Sequence, residues 1–299
     1  MLPPASDEQV YVTVSPISGG SITLLERFFT EPADQHAYHT VPSLAFHILH
    51  PAPNSKPHGI MFDLGLRSSI TNYSEPQQQH LQNRKPYTIG PGVAKTLQQG
   101  KIDASDIDIV ILSHVHYDHH GDPEHFPKAK FFVGPGTLHL LEHGLPSTSS
   151  HQHFVKELLP RDQTVEFPDI SDAHSDYRWD TLGSFSSIDL FGDGSIYVLN
   201  SPGHLPGHIN LLCRVSAGNW ACLCGDAYHD RRLLTGERDI AFWEGQDGSV
   251  CCIHNDPDAA RQALGQLREL AATGHVELIG AHDALWCAAN SDRMFPASL

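Results

Sequence analysis

The sequence predicts two β-sheets packed face to face with helices outside, an α+β arrangement. Three observations carry this expectation. Short β-type runs come in two groups, and each group has a helical pattern near its end. No fixed-period repeat is visible. No Pro/Gly/Ser-rich linker divides the 299 residues, so 1–299 is expected to form a single domain. Hydrophobic residues make up 40% and charged residues 18%, a balance that supports a sizeable core.

The first group reads as strands at VYVTV (10–14), SITLLE (21–26), SLAFHIL (43–49) and GIMFDLG (59–65). Residues 66–90 read as a polar loop, whose Gln-rich part is either a solvated helix or a disordered tip. GVAKTLQQGKI (92–102) predicts a helix and IDIVIL (107–112) a buried strand. AKFFVG (129–134) predicts a strand and GTLHLLEHG (136–144) a short helix. Residues 145–182 lack periodicity and are read as an irregular segment covering a pocket. Strands return at FSSIDLF (185–191), SIYVLN (195–200), INLLCRV (209–215) and NWACLCGD (219–226). DPDAARQALGQLRELAAT (256–273) is the clearest helix, with Asn255 or Asp256 as N-cap and Pro257 at its first position. Ala260, Leu264, Leu267 and Ala271 form its apolar face. HVELIGAHD (275–283) is a last strand ending in His and Asp.

The formal net charge of −16 argues against a nucleic-acid backbone or an anionic membrane as the main partner. All six cysteines lie in the last third, without paired CxxC spacing, and are expected to be buried free thiols. Cys222 and Cys224 should face one side of a strand. No basic segment followed by an apolar one opens the chain, and no apolar run is long enough to cross a bilayer. A cytoplasmic location is expected. The oligomeric state stays open, a dimer included.

The densest chemistry follows IDIVIL. The stretch SHVHYDHHGD (113–122) holds four histidines and two aspartates in ten residues. Imidazoles this dense fill a core poorly, because every ring nitrogen needs a partner. In extended chain His114 and His116 point the same way. A helix entered at Asp118 would turn Asp118 and His119 toward a neighbouring point, so one segment can feed two adjacent metal positions. Three further donors each follow a β-run: His204 in SPGHLPGH, Asp226 in CGDAYHD and His282 in GAHDALW. Strand-end loops are where sites are commonly built.

HVHYDH, then PGH, then GD, then a late HD resembles the metallo-β-lactamase superfamily, over a span from FDLG near Asp63 to His282. The resemblance implies an αββα sandwich of two mixed β-sheets flanked by helices, with a two-metal site at one edge. It implies that His114, His116 and His204 hold one metal, that Asp118, His119 and His282 hold the second, and that Asp226 bridges both. Asp63 would support the site from behind. Imidazole and carboxylate without thiolate suit zinc, with iron, manganese or cobalt as alternatives. Two such ions can share a water and lower its pKa, and the hydroxide would attack a carbonyl carbon.

The lactonase-like branch of that superfamily is the nearest resemblance. The expected function is therefore a dinuclear zinc hydrolase that opens a small cyclic ester or amide, a lactone or lactam-like compound. Alternatives are a thioesterase of glyoxalase-II type, weakened by the short stretch after Asp283, a mononuclear iron enzyme resembling persulfide dioxygenases, and a metal-bearing binding protein without turnover. Asp118 is a candidate proton shuttle. Tyr228 and His229 are candidates for assisting the oxyanion. The lactonase branch places a Tyr three positions after its bridging Asp, whereas here Tyr228 follows by two and His229 by three. Tyr117 and Tyr228 are read either as proton donors or as packing. His120 is read as either supporting the site or solvated, and His208 as part of a solvated loop. Phe29, Trp243 and Trp286 are read as core, or as pocket walls.

Overall fold

The computed structural model describes residues 2–52, 56–145, 153–172, 175–245 and 247–299. Two six-stranded sheets dominate it. The first runs in chain order: β1 (Thr13–Leu25), β2 (Tyr38–His50), β3 (His58–Phe62), β4 (Ile107–Ile111), β5 (Lys130–Val133) and β6 (Thr164–Glu166). Its first three strands are antiparallel neighbours, and β3 to β6 pair in parallel. The second sheet is β7 (Asp180–Leu182), β8 (Phe185–Asp189), β9 (Ile196–Asn200), β10 (Ile209–Arg214), β11 (Trp220–Leu223) and β12 (Val276–Ile279). All its pairings are antiparallel except β11 with β12. Helices α1 (Glu75–Gln82), α2 (Val93–Gln99), α3 (Thr137–His143), α4 (Arg231–Thr235), α5 (Pro257–Ala271) and α6 (Ala284–Ala289) complete the frame.

Strand alternation explains the layers. Phe46, Ile48, Phe62 and Ile111 point between the sheets and meet Val198, Ile209, Leu211 and Leu223. Their neighbours Ala45, Met61 and Val110 point the other way, onto Val93 and Leu97 of α2 and Leu140 of α3. On the far side Leu212, Cys222 and Leu278 pack against Leu264 and Leu267 of α5. Apolar residues on both faces of the central strands are what a sandwich covered by helices requires. Burying a Leu or Phe of this kind is worth about 1.5–3 kcal/mol.

The two expected N-terminal strands are one. β1 continues through SGG with a register shift between Ser18 and Ser21, a bulge that bends the strand without ending it. Gly19 lies so close to Gly65 that a Cβ there would meet Gly65 Cα at 2.6 Å. The Gln-rich stretch forms the solvated helix α1, capped by Ser74 and Gln77. In α5 the N-cap is Asp256, which accepts the Ala259 amide at 3.0 Å. The irregular segment contains β6 and β7, and its residues 146–152 and 173–174 lie outside the described part. Cys213, Cys222 and Cys224 are buried free thiols, and Cys251, Cys252 and Cys287 are half-buried. Cys222 and Cys224 share one side, with sulfurs 3.8 Å apart. Among the described residues no helix is long and apolar enough to cross a membrane.

Candidate metal centre

The donors gather where the ends of β3 and β4 meet the ends of β9, β11 and β12. The Ile209 amide donates to Ser113 O at 3.0 Å, which stitches the sheets together at this edge. After Ser113 the chain makes a turn rather than the expected helix, with the His119 and His120 amides both donating to His116 O. Asp63, just past β3, takes a left-handed backbone with φ 57°. That kink aims its carboxylate back at the turn. Oδ1 accepts the Ser113 amide at 2.7 Å, and Oδ2 accepts Ser113 Oγ at 2.7 Å and faces His119 Nδ1 at 2.9 Å.

His116 Nδ1 stands 3.0 Å from both His114 Nε2 and His204 Nε2. On the other side, His119 Nε2 and His282 Nε2 stand 3.1 and 3.3 Å from Asp226 Oδ1. Asp118 Oδ2 is 3.6 Å from His282 Nε2. The second carboxylate oxygen, Asp226 Oδ2, faces His204 Nε2 at 3.4 Å and His114 Nε2 at 3.7 Å. Asp226 thus stands between the two groups with one oxygen toward each. All seven side chains are buried, none more than 8% exposed.

The donor set fits cations better than it fits itself. Burial holds the His114, His116 and His204 pKa values well below the ordinary imidazole value, which leaves neutral rings with lone pairs. Three neutral rings crowded together cannot all satisfy one another by hydrogen bonds. Nitrogens about 2.0–2.1 Å from a tetrahedral zinc would lie roughly 3.3 Å apart, close to the spacing here. Burial also opposes charge on His119, yet the carboxylates of Asp226 and Asp63 outweigh it and raise its pKa well above normal. Two carboxylates inside a ring of imidazoles give the cavity the negative charge a divalent pair needs. Among the described residues His119 Nε2 and Asp226 Oδ1, which face each other at 3.1 Å, have no ordinary hydrogen-bond partner, as expected of atoms able to hold a metal.

His208 is not in a solvated loop. It is 1% exposed, accepts the Asp226 amide on Nε2 at 3.0 Å and donates Nδ1–H to Ser201 O at 2.8 Å. The signal was its spacing in PGHLPGH, which lets both histidines face inward from one tight loop. His120 is fully buried, with Nδ1 donating to Gly121 O at 2.9 Å. His229 brings Nε2 to 3.0 Å from Asp226 Oδ2. Tyr228 is buried in the cluster between β11 and α5, against Gly280. Trp286 is core, its Nε1–H donating to Glu277 at 2.8 Å. Trp243 is half-buried against Phe28. Tyr117 is buried among Tyr73, Leu66 and Leu81, and also borders the donor ring. His254, passed over in the sequence, packs beside His204 and His229.

Five of the donors, His116, Asp118, His204, Asp226 and His282, line an open space of about 20 Å³, about the volume that holds one water. A larger cavity of about 420 Å³ adjoins it, and Phe29, His229 and His282 stand in both walls. Its apolar side is formed by Leu24, Val41 and Leu285. Its ionic groups are paired: Arg231 with Asp283 at 2.7 Å, and Arg232 with Glu26 at 3.1 Å and Asp230 at 2.6 Å.

No family model matches the chain. Relatives and solved structures do. A gamma-lactamase from Gibberella moniliformis (strain M3125 / FGSC 7600) is 32% identical over 177 residues, 57% of this chain and 70% of that one. A protein named cytochrome P450 monooxygenase mpaDE, from Penicillium roqueforti (strain FM164), is 30% identical over 247 residues, 75% of this chain. The chain spans 28% of that protein's length. Among solved structures, a quorum-quenching N-acyl homoserine lactone lactonase matches 98% of this chain and all of its own at 17% identity, with TM-score 0.70. The dizinc quorum-quenching lactonase AidC matches 92% of this chain and 88% of its own at 15% identity, with TM-score 0.60.

Proposed function

The chain belongs to the metallo-β-lactamase superfamily and has the fold of its metal-dependent hydrolases, and from that premise we propose that it opens a small neutral lactone or γ-lactam with two zinc ions. The carrying observation is the position of Asp226, one oxygen toward His114 and His204, the other toward His119 and His282. A second complete donor group, Asp118, His119 and His282, favours two ions over the one of an iron oxygenase. Iron, manganese or cobalt in place of zinc would suit the same donors. The named activities of the gamma-lactamase relative and the lactonase structures support a cyclic amide or ester as substrate.

Bound cations would supply an activated water and an electrophile for the carbonyl oxygen. The remaining work falls to side chains. The adjoining cavity holds the body of the substrate against Leu24, Phe29 and Val41. Its arginines are already paired with carboxylates, so a neutral ring enters without an unpaired charge to answer it. Asp118 lines the small space and carries the proton toward the leaving amine or alkoxide. His229 lines both spaces and hydrogen-bonds the developing oxyanion. Tyr228 borders the larger cavity alone, which makes it the weaker candidate for that role.

Metal counting on purified protein, with a hydrolysis screen over lactones, lactams and thioesters, tests this reading. At least two zincs per chain and ring opening lost in His116→Ala are expected. One iron with oxygen uptake, or full activity after metal stripping, would overturn it.

A further inference from the structure

Beside the seven donors stands a second histidine group that the proposed reaction does not use as a whole. His204, His229 and His254 are 2%, 8% and 2% exposed. Their ring centroids are 4.9, 5.2 and 5.6 Å apart. The rings of His114, His116 and His204, which fit a tetrahedral ion, are 4.8 Å apart in every pair. One nitrogen from each of His204, His229 and His254 lies within 4.8 Å of the other two.

The hydrogen-bond accounting points the same way. His204 and His229 use Nε2 toward Asp226, and Nδ1 of each is buried without a partner among the described residues. Among the described residues His254 has no hydrogen-bond partner on either ring nitrogen. Buried polar atoms are ordinarily paired, so four unpaired ones on three neighbouring rings call for a missing ligand. His254 is held there by its neighbours: the Asn255 amide donates to His204 O at 3.0 Å, and the Asp256 amide to Gly203 O at 2.8 Å. The loop before α5 is therefore fastened to the loop that carries His204.

We propose that His204, His229 and His254 form a third cation position, selective for a nitrogen-preferring ion such as zinc or copper(II), adjoining the dinuclear centre. His204 is shared between the two groups: its Nε2 faces Asp226, and its Nδ1 is the buried nitrogen left for the new position. A cation on His229 Nδ1 leaves the proton on Nε2, so that ring is fixed as a donor toward Asp226 and the substrate space. The third ion thus sets the tautomer of a ring that lines both the small space and the adjoining cavity.

Equilibrium dialysis of the full chain against micromolar free zinc, followed by metal counting, tests the position. Three zincs per chain are expected for the natural sequence. Two are expected for His254→Ala and for the volume-keeping His254→Gln, with circular dichroism unchanged. Two in the natural sequence, or three in a folded His254 variant, overturns the third position while leaving the dinuclear centre standing. Fewer than two in the natural sequence overturns both. Should His254→Ala fail to fold, the natural-sequence count and His254→Gln decide the matter.

Discussion

Asp63 Oδ2 faces His119 Nδ1 at 2.9 Å, while the other nitrogen of that ring faces Asp226. The carboxylate fixes which nitrogen carries the proton and so which one is offered to a cation. Asp63→Asn keeps a side chain that tolerates the left-handed backbone but loses the charge. Affinity for one metal should fall about 10–100-fold, read by competition with a chelating dye. Unchanged affinity for both ions would mean that His119 is oriented by something else.

His208 holds the backbone under Asp226, accepting its amide while donating to Ser201 O. His208→Ala strands a buried amide and a buried carbonyl, and should cost about 1–3 kcal/mol in urea unfolding. It should also loosen the Asp226 carboxylate. A variant as stable as the natural protein would show that a water replaces the ring.

Glu26, in the cavity wall, has its pKa lowered from 4.5 to about 2. Burial alone would raise it, but hydrogen bonds from Arg232 and His39 prevail. A carboxyl depressed in the folded state binds protons more readily when unfolded. Its stabilisation is therefore complete above about pH 4.5 and is lost as pH falls toward 2. Glu26→Gln should lower the melting temperature at neutral pH and flatten its fall across that window. Parallel melting curves for both proteins would refute the pairing.

His229→Ala should lower kcat about 10²–10³-fold with little change in KM, the loss expected for one oxyanion donor. Tyr228→Phe should leave kcat within a few-fold, since that ring borders the larger cavity and not the donor ring. The reverse ranking would move the assisting role to the tyrosine.

How much of this was legible depended on how local each signal is. HVHYDH could be read because its donors sit within six residues and follow an unmistakable buried strand. His204, Asp226 and His282 were legible as strand-end donors, and more so as one ordered pattern. His208 and His254 were not. Each lies in a Pro- or Asn-containing loop that reads as solvated, and becomes buried when distant chain closes over it. The runs at 10–14 and 21–26 read as two strands because nothing local shows that Gly19, between them, packs against Gly65. Helices α4 and α6, five and six residues long, are too short for periodicity to show.

The donors come from both sheets: His114 to His119 follow β4, whereas His204, Asp226 and His282 follow β9, β11 and β12. A cation gripped by both is a rivet through the seam of the sandwich. Ligands that bind only the assembled state add RT ln(1 + [L]/Kd) to its stability. Chelators should then do more than silence the enzyme: they should let the two layers part at lower temperature, beginning at the edge where chemistry takes place.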